Sequence, residues 1–146
     1  MRVGLLLAAL LLVATRAPAE GTGARTAVPL RGDGTSWTVE ATLDGRVHGL
    51  FLLDTGASYC VIAPSLARRL ALAPTGSTAT VHTANGLVRA PLVRVRVLEL
   101  GGTRTHDVQA IVHDAVGDGL DGVIGLNLLN RFRYAVDPQR RILELE

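Results

Sequence analysis

Three large apolar residues, Phe51-Leu52-Leu53, run directly into a carboxylate, Asp54, and the chain then turns through Thr55, Gly56, Ala57 and Ser58. An unbroken apolar run of this length marks a strand covered on both faces. The acid at its end is therefore expected at the floor of a depression rather than on an open surface. An isolated buried carboxylate is costly, because loss of water disfavours its charged form. Asp54 needs either a partner or a chemical task. Gly56 lets the backbone turn sharply and lets another chain or a ligand come close. Read alone, Asp-Thr-Gly also fits a simple turn cap. The rest of the chain decides between the two.

The N-terminus carries Met1-Arg2, an apolar run from Val3 to Ala14, and small residues at Ala17-Pro18-Ala19. That is the layout of a secretory signal peptide, with cleavage expected after Ala19. The run is shorter than the roughly 20 apolar residues of a membrane span. An uncleaved anchor is the alternative, and only then is a membrane expected as a partner. The expected organisation is a signal at 1–19, a flexible leader at 20–34 with one short strand around Val28 to Leu30, and one domain at 35–146. Export, to the periplasm or the medium, follows as an expectation. The chain holds 15 basic and 13 acidic residues, every basic one an arginine. Arg2 and Arg16 leave with the signal, so the remaining charges balance at 13 each. A neutral chain of this kind gives no ground for a nucleic-acid partner.

From Ser36 onward the pattern is that of strands. Trp37, Val39, Ala41 and Leu43 fall on one face, a half-buried strand of period two. Asp44-Gly45 is a favoured two-residue hairpin turn, and the return strand Arg46 to Leu53 delivers Asp54. Pro64 to Leu70 reads as a short helix with Leu66 and Leu70 on its inner face, ended by Pro74 and Gly76. A second hairpin follows, Thr78 to Thr83 and Leu87 onward, joined by Ala84-Asn85-Gly86. Val93, Val95 and Val97 alternate with arginines, and His106 to His113 reads as another strand after the Gly101-Gly102 turn. Phe132 to Val136 and Arg141 to Leu145 form the closing pair around Asp137-Pro138.

His48, His82, His106 and His113 match no metal-ligand spacing, and no cysteine pair supports them, so no metal or other cofactor is expected. The run from Asp114 to Gly119 approaches a calcium-loop pattern, but Val116 offers no side-chain oxygen at its middle position. Cys60 is the single cysteine, which excludes an internal disulfide. Beside Val61-Ile62 it reads as a small buried hydrophobe, with a bridge between chains as the alternative.

A second feature lies far downstream, where Val123-Ile124-Gly125 leads into the apolar stretch Leu126-Asn127-Leu128-Leu129. Gly125 permits a close crossing of two backbones. The segment Phe51 to Ser58 resembles the active-site loop of retropepsin-like aspartic proteases, and the segment around Ile124-Gly125 resembles the one such domains pack behind that loop. The signal-like start resembles an exported, bacterial-type member. The resemblance spans roughly Ser36 to Glu146 and implies an all-β chain, a closed β-barrel with one or two short helices.

The resemblance also implies an aspartic endopeptidase active as a homodimer on peptide or protein substrates. Asp54 would be the catalytic residue, Thr55, Gly56, Ala57 and Ser58 its loop, and Ile124 and Gly125 the loop's support. Ala84-Asn85-Gly86 would form the tip of a flap, and Arg141 to Leu145 would build the dimer sheet. Ala57 stands where pepsin-like loops carry a hydroxyl that bonds the carboxylate, which implies a working pH nearer neutral than that of a stomach-type enzyme. A reading from another class is a non-catalytic aspartic-protease-like module for dimerisation or peptide binding.

Overall fold

The computed structural model describes residues 24–83, 86–114 and 116–146. The apolar N-terminal run, the cleavage site expected after Ala19, and Ala84-Asn85 of the expected flap tip lie outside the described residues. Ten strands and two short helices follow in order: β1 (Thr26–Gly32), β2 (Trp37–Leu43), β3 (Val47–Leu53), β4 (Cys60–Ile62), α1 (Pro64–Arg69), β5 (Pro74–Thr83), β6 (Gly86–Leu100), β7 (Thr103–Val112), β8 (Gly122–Ile124), α2 (Leu126–Leu129), β9 (Tyr134–Asp137) and β10 (Ile142–Leu145).

Six of the strands close on themselves in the order β6-β7-β4-β8-β3-β2, with β2 returning to β6, so the expected closed barrel is present. Alternation along β2 turns Val39, Ala41 and Leu43 inward, and Trp37 packs at the margin of the same core. Leu43, Phe51, Ile62, Leu66, Leu98, Ile124 and Leu128 fill the interior. The apolar run of β3 is covered on both faces, as its composition implies. Phe51 and Leu53 belong to the barrel core, whereas Leu52 packs outward against Ala63, Val123 and Leu120.

Closure of the barrel depends on an acid that the sequence offered only as a turn former. Asp44 and Gly45 both adopt positive φ, 49° and 68°. The Asp44 amide donates to the Val97 carbonyl at 2.8 Å, and its carboxylate accepts from the Val97 amide at 3.0 Å. The Asp44 side chain is 4% exposed, with Arg96 at 3.6 Å. This staple fixes β2 against β6. The link is also one residue longer than the expected turn, since the Arg46 amide closes on the Leu43 carbonyl and β3 starts at Val47.

Other boundaries differ for equally local reasons. Helix α1 ends without help from Pro74 or Gly76. Ala71 takes a left-handed φ of 52°, and the Leu72 amide bonds back to the Ala67 carbonyl at 3.0 Å, the usual arrangement for terminating a helix. Pro74 instead starts β5, and Gly76, at φ 87°, sits in a register shift between Pro74 and Thr78. Strand β7 begins at Thr103, three residues before the expected start, and Asp107 at φ 53° marks an interruption of its ladder with β6.

Residues 26–32 of the expected leader form β1, which pairs with β10 through Pro29 and with β2 from Leu30. In the turn that follows β1, the Thr35 hydroxyl and then the Thr35 and Ser36 amides bond the Asp33 carboxylate and lower its pKa to about 2. Strand β10 lies between β1 and β9, with both edges filled by its own chain. Arg141 to Leu145, expected in the dimer sheet, therefore offers no open edge of its own to a partner. Among the described residues, the open edges belong to β5 and β9. Also among the described residues, no helix is long and apolar enough to cross a membrane.

Candidate active site

Asp54 leaves the end of β3, and three strands hold that end in place. Leu52 and Leu53 run parallel to Val123 and Ile124 of β8, and β8 pairs on its other side with Val61 and Ile62 of β4. The loop from Asp54 to Tyr59 therefore begins and ends on neighbours of one fully buried strand. The Asp54 amide donates to the Ile124 carbonyl at 3.0 Å, and the Ala57 amide to the Asp54 carbonyl at 3.3 Å. The carboxylate itself accepts the Gly56 amide at 2.8 Å on Oδ1. Asp54 is half-buried.

Gly56 turns without a left-handed backbone, since its φ is not among the positive values of the described residues. A Cβ at this position would stand 3.1 Å from Asp54 Oδ1. The glycine keeps the space around the carboxylate clear. Gly125 is the sterically demanding position. A Cβ there would overlap the Tyr59 carbonyl and approach the Ala57 carbonyl oxygen to 2.9 Å, so the loop and β8 cross at backbone contact. Backbone atoms cannot swing aside as a side chain would. Gly125→Ala is expected to cost about 3 kcal/mol of stability; chemical denaturation giving a wild-type midpoint would contradict the crossing.

Helix α2 then ties the loop from below. The Leu126 amide donates to the Ala57 carbonyl at 2.8 Å and the Asn127 amide to the Ser58 carbonyl at 3.2 Å. The Asn127 side chain accepts from the Cys60 amide at 2.8 Å and donates to the Gln109 carbonyl at 2.7 Å, which joins the loop's far end to β7. The signal for Asn127 was present as the one amide within an apolar run, and sequence reasoning passed over it. Cys60 is buried, and its thiol takes the Gly125 amide at 3.4 Å. Burial raises its pKa to about 11, so it is a packed, protonated thiol and not a bridge between chains.

Above the loop lies a cleft of about 520 Å³, lined by Asp54, Gly56, Ala57, Ser58, Tyr59 and Val61 from the loop side. Thr80, Val81 and His82 of β5 line it with Ile111, His113 and Val123. Of the expected loop residues, Thr55 is exposed and outside this lining. The β5–β6 hairpin runs through the region where a flap is expected, and its strand β5 supplies one wall of the cleft. Gly86, at φ 106°, opens β6 opposite Thr83.

Asp54 is the one carboxylate in the lining. Two acids that precede a glycine are occupied elsewhere: Asp44 closes the barrel, and Asp121 accepts the Leu50 amide at 2.9 Å with Arg69 at 3.9 Å. Among the described residues, no group of three acidic, histidine or cysteine side chains stands close enough to hold a metal ion.

Comparison with known proteins agrees with this geometry. A family model described as aspartyl protease matches residues 39–128, more than half of the chain, including both the Asp54 loop and Gly125. A retropepsin-like aspartic protease from Rickettsia conorii superposes with a TM-score of 0.60 at 21% identity, covering 84% of this chain and 89% of that one. The retroviral protease-like domain of Ddi1 from Leishmania major superposes with a TM-score of 0.53 at 20% identity, covering 75% and 86%. No curated protein matches the sequence. Identities at this level speak for a shared fold, and the family model speaks for descent: the chain belongs to the aspartyl protease family and has a retropepsin-like fold.

Proposed function

We propose that the chain is an aspartic endopeptidase that works as a homodimer, each copy contributing one Asp54. The observation that carries this reading is a single half-buried carboxylate, held by the Gly56 amide in an open cleft, on a loop fixed at both ends. Among the described residues lining the cleft, Asp54 has no second acid beside it. Two such carboxylates facing each other across a two-fold axis cannot both ionise, so the pair holds one proton and titrates as a unit. The charged member takes a proton from water, and the protonated member hydrogen-bonds the scissile carbonyl as the water adds. Residues 1–19 would carry the chain to the export machinery.

The strand that offers itself to the second copy is β9. Arg133 and Glu146 exchange both backbone hydrogen bonds at 2.9 Å. Alternation then makes Ala135–Glu144 and Asp137–Ile142 bonded pairs as well. Tyr134 and Val136 consequently turn their N–H and C=O groups away from β10, towards the open edge. Such an edge is a template for pairing with an identical strand about a two-fold axis. The ladders run from Leu53 through Trp37 to Gly32, and from Pro29 through Ile142 to Asp137. The Asp137 end of β9 and Asp54 therefore lie towards the same end of the sheet.

The dimer requirement makes activity depend on concentration. Specific activity of residues 20–146 on an unfolded protein substrate should fall on dilution, in step with the dimer fraction read by sedimentation. Constant specific activity in a solution of monomers would contradict the shared site.

A further inference from the structure

We propose that His82 and His113 form a subsite that selects an acidic side chain of the substrate. The proposal rests on the protease reading of the same cleft and extends it to substrate class. The two imidazoles come from different elements, His82 from the flap strand β5 and His113 from the segment just after β7, and both line the cleft that holds Asp54. The chain has 15 basic residues, all arginine, yet the lining contains none of them. Among the described residues of the lining, His82 and His113 are thus the only side chains able to carry positive charge.

The rest of the lining sharpens their effect. Val61, Val81, Ile111 and Val123 offer no competing charge. An ion pair at the partly buried His113 is screened less than one in water, whereas His82 is exposed and contributes in a water-screened way. Among the described residues, the titratable groups near the pair include Asp114, Asp54 and Tyr59. His113 has its Nδ1 3.4 Å from Asp114, a carboxylate that is 88% exposed and so only a weak, water-screened competitor. His82 stands opposite the apolar Leu87 on β6 and shares the cleft with Asp54 and Tyr59. Asp54 repels a substrate acid, but a carboxylate pair that keeps one proton carries a single charge between two copies. Histidine gains its proton between about pH 8 and 5, where the acid of a substrate remains charged. The preference should therefore appear as pH falls through that range.

The test uses two peptides identical except for Glu or Gln beside the cleaved bond. Cleavage is measured on the wild-type chain, and binding by fluorescence anisotropy on Asp54→Asn, both at pH 5.5 and 8. The expected result is a Glu-over-Gln preference of about tenfold at pH 5.5 that shrinks towards unity at pH 8 and weakens with salt. His82→Gln and His113→Gln should each reduce the ratio. A binding ratio near unity at both pH values overturns the subsite, whatever the cleavage assay shows. So does a wild-type ratio in both histidine variants. A pH-dependent binding preference without cleavage of either peptide supports the subsite and removes the protease reading instead.

Discussion

Asp54→Asn is expected to lower peptide hydrolysis by at least about 10³-fold, the range that general acid–base groups contribute. The amide has the size of the acid, and its oxygen still accepts the Gly56 amide that now reaches Oδ1 at 2.8 Å. What it lacks is a lone pair basic enough to take a proton from water. Thermal stability should stay within about 1 kcal/mol of wild type, because the hydrogen bond survives and no cavity opens. Dimerisation should be no weaker, since the substitution removes the repulsion between two facing acids. Turnover within tenfold of wild type would remove Asp54 from the chemistry. An inactive variant that no longer assembled would point to a structural role.

The second large effect concerns the edge of β9. Val136→Pro removes an N–H that points off the sheet, and proline is tolerated at such positions because no ladder bond is lost. The variant should remain folded, sediment as a monomer at micromolar concentration, and lose at least about 100-fold in activity through the missing partner carboxylate. Ala135→Pro is the control. Its N–H faces Glu144 of β10, so the same substitution one residue earlier should cost about 3 kcal/mol of fold stability. A dimeric, active Val136→Pro protein would show that the copies meet through another surface.

Much of the site could be read from residues adjacent in the chain. The apolar run into Asp54 and the need for glycine at 125 are both local statements, and the structure bears out each through burial or contact. What escaped the sequence depends on register between distant segments. Asp44 read as a turn former, yet its carboxylate finds the Val97 amide across the barrel, and that of Asp121 finds the Leu50 amide. Nothing in a local window distinguishes an acid that caps its own turn from one that closes a sheet 53 residues away. Asn127 was hidden in the same way, because its partners Cys60 and Gln109 come from β4 and β7.

His82 and His113 looked like isolated strand histidines. They share a cleft through long-range pairing, since β6 joins β5, which carries His82, to β7, which ends just before His113. The terminal strands show the limit most clearly. The resemblance implied that Arg141 to Leu145 builds the dimer sheet, but β1 from the expected leader covers it, and among the described residues the free edge on that side is β9.

Mixing wild-type and Asp54→Asn chains tests the shared-site account most directly. After subunit exchange at equal amounts and constant total protein, only the dimers with two intact acids can turn over. In a symmetric pairing those are about a quarter of the population. Activity is therefore predicted to follow the square of the wild-type fraction, falling to about a quarter at the midpoint. A straight line through about one half would mean that each Asp54 works alone, and would contradict the account.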